Sequence, residues 1–472
     1  MKYDYHIIVL GAGSAGLFIA AGASALGAKV ALIEADKMGG DCLNTGCVPS
    51  KAFKKCARLA KGIQNTKEFG IEASITKTDI NKVMNRVKSV IKSIEPHDSK
   101  EHCEKLGVDV ILRKGQFIDK NSIKVNDKII TANSIVIATG SEPYIPNIKG
   151  LNDVQYFTNK DIFDIKKLPS HLIVLGGGAI GLELGQGFRF LGSKVTIIDI
   201  LPHIFSRDDL DVAPLIEKRL RNDGIDLILD TKIIEVKSNG SDIIVVIEKN
   251  GKLEELSGDS LLVAVGRSPV TDGLGLDKVG IKTKKNGNIK TNLKMQTSIK
   301  NIYACGDVTE PYHFTHVAGY QASIALKNII FKLGAKADYS VLPWTTYTSP
   351  EVAHVGYTEQ QAKSLNIYKD SITSDLADND RAIINEDTEG FAKLVIGKNG
   401  RIIGSTVVGE NAGEMIPVIT LAIKKKLTPV ALLGILFSYP TEAEVFLYAS
   451  LKKLNSSLKP WHKKLIKSIF IG

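Results

Sequence analysis

Cysteine is scarce in this chain, with five among 472 residues. Over that length five are too few for a disulfide framework of the secreted kind. Cys56, Cys103 and Cys305 are scattered singly, so the paired CxxC spacing of structural zinc is missing and no resident metal is expected. Long apolar runs are missing too. No stretch of 18 or more uncharged apolar residues predicts a membrane-crossing helix. A strand-like run, His6 to Leu10, begins almost at Met1 and leaves no room for a signal peptide. The expectation is therefore a cytoplasmic protein. Signatures of helix-turn-helix, zinc-finger or RRM proteins are absent, and a net charge of +10 is mild when spread over 472 residues. It reads as a lysine-rich surface, with no nucleic-acid partner expected.

What is present is an ordinary globular composition, 44% hydrophobic and 24% charged, long enough for about three domains. The stretch HIIVLGAGSAG places Gly11-x-Gly13-x-x-Gly16 directly after an apolar strand. A small-residue helix follows, then a second strand ending in Glu34, 18 residues after the third glycine. Strand, tight turn, helix, strand and acid together form a dinucleotide-binding unit. Gly11 permits the turn, Gly13 lets the backbone approach a pyrophosphate, and Gly16 lets the helix pack on the strand. The helix N-terminus offers unpaired N–H groups, and Glu34 offers a carboxylate to a ribose. The pattern recurs at Gly176-x-Gly178-x-x-Gly181, with Asp199 again 18 residues after the third glycine. A carboxylate at the ribose repels a 2′-phosphate, so Asp199 favours NAD over NADP.

Two further features complete the first half. The run from Thr78 to Ile94 spaces Ile80, Val83, Met84, Val87, Val90, Ile91 and Ile94 as a helical core stripe. The segment GGDCLNTGCVPSK, Gly39 to Lys51, sets Cys42 and Cys47 in a glycine-flanked loop running into a helix started by Pro49. Metal ligands, a structural staple and a redox pair all remain open for these two on spacing alone. Cys47, nearer the helix N-terminus, is the one expected to have the lowered pKa.

Taken together, these motifs resemble the class I pyridine nucleotide-disulfide oxidoreductases, the family of dihydrolipoamide dehydrogenase, glutathione reductase and mercuric reductase. The likeness covers nearly the whole chain. It rests on GGDCLNTGCVPSK, both glycine fingerprints, ATGS, VGRSP, TSIKNIYACGDVT (Thr297 to Thr309) and SPEVAHVGYTE (Ser349 to Glu359). The fold implied is α/β: two Rossmann-like dinucleotide-binding domains and a C-terminal α+β dimerisation domain. The boundaries expected are 1–149 for FAD, 150–265 for NAD, 266–340 for a central segment completing the FAD domain, and 341–472 for the interface.

The resemblance implies FAD and NAD as cofactors and a hydride path from NADH through FAD to a Cys42–Cys47 disulfide, then to a small-molecule or protein-bound disulfide. Cys47 takes the flavin-facing role and Cys42 the interchange role, facing solvent. Lys51 pairs with Glu183. Asp307 reaches the ribityl chain, and the helix starting near Thr315 aims its N-terminus at the flavin, with His316 a neighbour of the ring. The cofactor-binding residues implied are Gly11, Gly13, Ser14, Ala15, Gly16, Glu34, Gly40, Asp41, Lys51, Thr139, Gly140, Gly176, Gly178, Ile180, Gly181, Asp199, Gly266, Gly306, Asp307, His316, Val317 and Ala318.

Near the C-terminus the family carries a histidine before Pro-Thr that comes from the partner subunit and accepts the substrate's proton. Here the stretch reads FSYPTEAE: Tyr439 holds that position and Glu444 keeps the family's glutamate. No histidine lies between His354 and His462, and no cysteine follows Cys305. A tyrosine is a poor base at neutral pH. Tyr439 resembles mercuric reductases, yet the C-terminal cysteine pair by which they hand over mercury is missing. The tail from Ser450 to Gly472 holds six lysines and no acid. Trp461, Leu465 and Ile469 share a stripe, with Ile466 and Phe470 beside it and Lys463, Lys464 and Lys467 flanking. Such a helix suits an anionic membrane surface, or packing on the dimer.

The favoured reading is an NADH-linked FAD disulfide oxidoreductase acting as a homodimer. A reductase of metal ions or quinones at the membrane surface, and a non-catalytic flavoprotein subunit, are the alternatives.

Overall fold

Apolar runs flanked by glycine turns become central parallel strands here, because both of their faces are covered. The structure, a computed structural model, describes residues 3–240 and 242–471; the side chain of Lys463 lies outside the described residues. The chain divides into two units, Met1–Ile200 with Thr231–Asp338, and Leu201–Asp230 with Tyr339–Gly472.

In the first unit the strand Tyr5–Leu10 pairs in parallel with Val30–Glu34 on one side and Lys128–Ile137 on the other. Val108–Leu112 extends one edge, and Ile302–Ala304 joins Lys128–Ile137 in parallel. Ile7, Ile8 and Val9 are fully buried, as a strand covered on both faces requires. The second dinucleotide unit repeats the pattern with His171–Leu175 between Lys194–Ile198 and Ser260–Val263, all parallel. An antiparallel three-stranded sheet, Lys232–Asn239, Asp242–Lys249 and Lys252–Gly258, precedes Ser260–Val263. The two motifs ATGS and VGRSP meet, because Ser141–Pro143 pairs antiparallel with Arg267–Pro269.

The helical stripe behaves differently from a continuous core. The helix Ile80–Asp98 begins after Asp79, whose carboxylate accepts from the amides of Asn81 and Lys82. Ile80, Met84 and Val87 are buried, Val83, Val90 and Ile91 are half-buried, and Ile94 is exposed. The stripe therefore enters the core at one end and leaves it at the other.

The helix Cys47–Gln64 packs on Ala179–Phe190, the helix of the second glycine fingerprint. Phe53 and Phe188 lie with ring centroids 4.8 Å apart. Gly187 makes the approach possible, since a Cβ there would stand 2.4 Å from the Phe53 ring.

The second unit is built on a five-stranded antiparallel sheet in the order Pro343–Thr346, Glu351–Gly356, Ile402–Gly409, Phe391–Gly397, Tyr368–Asp375. The helices Ala412–Lys424 and Val445–Ser457 contribute Ile416, Ile419, Phe446 and Ala449 to its core. The segment Leu201–Asp230 is tied into this unit by side chains: Trp344 donates to Asp208 at 2.9 Å, and buried Lys393 pairs with Asp211 at 2.7 Å. The tail forms a helix Pro460–Ile466 that continues as a wider turn, Lys467–Ile471. Trp461, Leu465, Ile466, Ile469 and Phe470 are all exposed. Among the described residues no helix is long and apolar enough to cross a membrane.

Candidate active site

After the strand Val30–Glu34 the chain enters a short helix, Gly40–Asn44, which carries Cys42. The loop expected around Cys42 is thus helical. The Asn44 amide stitches it by donating to the carbonyls of Met38 and Gly40 at 2.9 and 2.8 Å. The next helix starts on Cys47 itself, two residues before the proline expected to open it. Pro49, which lacks an N–H, still sits in the first turn where none is needed.

The helix Thr315–Ile330 brings its first residue to these sulfurs. The Thr315 hydroxyl oxygen stands 3.2 Å from Cys42 Sγ and 3.3 Å from Cys47 Sγ. Both cysteines are free thiols in this structure. Their acidities diverge. Hydrogen bonding from Cys42 pulls the Cys47 pKa down to about 6, helped by Thr315 and the Lys51 charge against the effects of burial and Asp41. The same bond to Cys47, with burial, pushes the Cys42 thiol well above its ordinary value. The pair therefore holds one thiolate and one thiol at neutral pH. Cys47 is exposed and Cys42 half-buried, and it is acidity that separates the two sulfurs.

Lys51, one turn beyond Cys47, pairs with Glu183 at 2.9 Å. Glu183 projects from the helix of the second glycine fingerprint and its side chain is 6% exposed. This contact links the cysteine helix to the second dinucleotide unit.

Both glycine turns show the same geometry. Gly11 has φ +99°, and a Cβ there would stand 2.4 Å from the Ala138 carbonyl oxygen; Gly176 has φ +107° and the same separation from Ala264. The Ala12 amide donates to Glu34 at 2.6 Å, and the Gly177 amide donates to Asp199 at 2.6 Å. A carboxylate has further lone pairs for a ribose. The first intrahelical bonds run from Leu17 to Gly13 and from Leu182 to Gly178. The amides of Ser14, Ala15 and Gly16, and of Ala179, Ile180 and Gly181, precede them and suit a pyrophosphate. A Cβ at Gly40 would stand 2.8 Å from Gly13 Cα, so these two glycines line a slot at the helix end that a side chain would fill. The residues present fit a dinucleotide at each turn.

Thr139 donates to the Val270 carbonyl at 2.6 Å, and Gly140 and Gly266 both take positive φ. The Gly306 amide donates to Gln321 at 2.7 Å, and a Cβ on Gly306 would meet Ala318 at 3.4 Å. His316 stacks on Phe314 at 5.4 Å between centroids, with Val317 and Ala318 buried behind it. Asp307 accepts from Ser141 at 2.9 Å.

Tyr439 and Glu444 lie in the second unit. Tyr439 is 70% exposed and donates to Asp380 at 2.9 Å, and Asp380 raises its pKa. Glu444 is buried and accepts from the Thr441 amide at 2.9 Å, closing a capping box. That bond gives Glu444 a structural task in its own segment.

Sequence reasoning did not foresee the contact of Thr315 with both sulfurs. Nor did it foresee Arg267, which reaches Asp41 at 3.2 Å and Ser141 at 2.8 Å. Thr315 lies 268 residues from Cys47, so no local spacing signals the contact. Among the described residues no cluster of three or more His, Cys, Asp or Glu side chains is arranged to hold a metal ion.

Comparison with known proteins agrees with this geometry. Residues 5–322 match the model of the pyridine nucleotide-disulphide oxidoreductases, and residues 342–450 match the dimerisation domain of the same group. The chain is 36% identical over 449 residues to the mercuric reductase of Staphylococcus aureus, covering 95% of this chain and 82% of that one. It is 34% identical over 454 residues to the dihydrolipoyl dehydrogenase of Geobacillus stearothermophilus, covering 95% and 96%. The structure of the Cu(II) complex of the HOCl-induced flavoprotein disulfide reductase RclA from Escherichia coli superimposes with a TM-score of 0.84 at 28% identity. That match covers 96% of this chain and 100% of the other.

Proposed function

The chain belongs to the pyridine nucleotide-disulphide oxidoreductase family, and on that premise we propose its electron donor, its direction and its class of substrate. The activity itself is that of an FAD-dependent NAD(P)H disulfide oxidoreductase carrying the family's dimerisation domain. The proposal is that it works as a homodimer, prefers NADH and reduces a disulfide, rather than oxidising a dithiol. The observation that carries its disulfide chemistry is the placement of Cys42 and Cys47 beside one shared hydroxyl, that of Thr315, with Cys47 the more readily ionised of the two.

When bound, FAD supplies the two-electron relay that converts the Cys42–Cys47 disulfide to the dithiol at the expense of the nicotinamide. The remaining steps belong to the chain. Cys42 attacks the substrate disulfide as Cys47 takes its proton, giving a mixed disulfide and one substrate thiolate. That thiolate takes the proton from Cys47, and the freed Cys47 thiolate attacks Cys42. The internal disulfide forms and the second substrate thiolate leaves. Protons balance with no histidine, which suits a chain whose Tyr439 is a hydrogen-bond donor. Asp199, already bonded to the Gly177 amide, supports the choice of NADH through repulsion of a 2′-phosphate.

A soft metal ion as substrate is the second reading. Two sulfurs beside one hydroxyl favour it, as does the likeness to the Staphylococcus aureus mercuric reductase. An acceptor screen under NADH and NADPH tests both readings. It should include lipoamide, glutathione disulfide, Hg(II), Cu(II) and quinones. Faster turnover with NADH, abolished once the reduced cysteines are alkylated, is expected for a disulfide or a soft metal. Turnover of quinones alone, untouched by alkylation, contradicts both.

The tail carries a finer reading, peripheral contact with an anionic membrane. Its exposed Trp461, Ile469 and Phe470 stand among lysines. Flotation with phosphatidylglycerol vesicles is expected for the full chain and lost on truncation after Ser450. Equal flotation of the two ends that reading.

A further inference from the structure

We propose that Arg267 is a positioning residue for the cysteine pair: it holds the Asp41 carboxylate, next to Cys42 in the chain, in a bonded cage that offsets its charge at the sulfurs. The proposal rests on the reading of Cys42 and Cys47 as the reactive pair. Asp41 is the neighbour that works against that reading, because its charge opposes ionisation of both sulfurs.

Both carboxylate oxygens of Asp41 are engaged. Oδ2 meets the Arg267 guanidinium at 3.2 Å, while Oδ1 accepts from Asn159 at 3.0 Å and from the Thr45 hydroxyl at 2.7 Å. Arg267 is itself fixed from the other side. Its Nε donates to Ser141 Oγ at 2.8 Å, one terminal nitrogen donates to the Ser141 carbonyl at 2.8 Å, and the other reaches Asn159 Oδ1 at 3.5 Å. Asp307 stands 4.0 Å away. The guanidinium thus lies between two carboxylates, and its side chain is only 13% exposed, so water screens it weakly. A planar fork can serve these separated acceptors at once, and an ammonium cannot. The antiparallel pairing of Arg267–Pro269 with Ser141–Pro143 sets the position of the fork. Lys51, on the cysteine helix, is the cation on the other side of the pair, held by Glu183 from the helix Ala179–Phe190. Without Arg267 the Asp41 charge acts on the sulfurs uncompensated, and the Cys47 thiolate becomes harder to form.

The test uses the holoenzyme, reduced anaerobically with dithiothreitol and alkylated with iodoacetamide across a pH series. Mass spectrometry reads modification of Cys47. In the wild-type protein the rate is expected to reach half its maximum near pH 6, the value to which Cys42, Thr315 and Lys51 lower the Cys47 pKa. Arg267→Met is expected to move that midpoint toward about 7 and slow alkylation at pH 6 about fivefold. Arg267→Lys, a cation without the fork, falls between. Asp41→Asn moves the midpoint below the wild-type value, and adding Arg267→Met to it changes the rate by less than about twofold, because the charge being offset is gone.

An unchanged midpoint in Arg267→Met overturns the proposal, as does an equal shift with and without Asp41. Should Arg267→Met fail to fold, Asp41→Asn carries the test, and an unmoved midpoint there overturns the proposal as well. A wild-type midpoint near the ordinary cysteine value of about 8.5 overturns the underlying reading of the pair. That result needs no variant, so the two failures are distinguishable.

Discussion

Replacing Cys47 with serine is expected to lower NADH-dependent disulfide reduction by on the order of a thousandfold or more, and Cys42→Ser to lower it as far. The two losses have different causes. With Cys47 gone, Cys42 no longer gives its proton to a neighbouring thiolate, though it still attacks the substrate. The product is a mixed disulfide that nothing resolves, and it accumulates at one equivalent per protomer. With Cys42 gone, Cys47 loses the hydrogen bond that contributes most to its low pKa, and its thiolate fraction at neutral pH falls. Steady-state oxidation of NADH reads the rate, and intact-mass measurement after adding substrate reads the adduct. Adducts of equal yield in the two variants contradict the assignment of roles. Disulfide turnover that survives either substitution contradicts the disulfide route altogether.

Tyr439→His is expected to raise oxidation of a dithiol such as dihydrolipoamide by on the order of a hundredfold near pH 8. The present side chain is poorly suited to that direction. Its hydroxyl donates to Asp380, and the neighbouring carboxylate raises its pKa above the ordinary tyrosine value, so the phenolate that could accept a proton is scarcer near neutrality than in a free tyrosine. An imidazole there titrates near neutrality, and Asp380 favours its protonated form after it has taken the thiol proton. Tyr439→Phe serves as the control and is expected to change neither direction by more than about twofold. The measurement is dithiol-dependent reduction of NAD across pH 6 to 9. A flat profile in Tyr439→His would mean that a missing base is not what limits the dithiol direction.

Much of this arrangement is legible in the sequence, and the reason is distance along the chain. The two glycine turns and their acids fall within about 25 residues, so spacing carries the whole contact. Gly11 and Gly176 take positive φ and press against a carbonyl, a position where a side chain cannot stand. The cysteine pair is legible for the same reason. What remains hidden is brought together by folding. The Thr315 hydroxyl comes from 268 residues beyond Cys47, and Arg267 reaches Asp41 because two short strands from distant segments pair. The contact of Gly187 with Phe53 is equally non-local. The helical stripe from Ile80 to Ile94 shows a different limit. Periodicity reports one apolar face, but it does not report how far the core extends beneath it. Glu444 shows a third. A glutamate three residues after a threonine is also a capping box, and within this chain that is the bond it makes.

Turnover depends on Cys42 and Cys47 cycling between disulfide and dithiol at the expense of the nicotinamide. Counting thiols in the denatured holoenzyme tests this directly. Before reduction three thiols per protomer are expected, those of Cys56, Cys103 and Cys305. After anaerobic addition of one equivalent of NADH the count should rise to five, the full cysteine content of the chain. An identical count before and after would contradict the account.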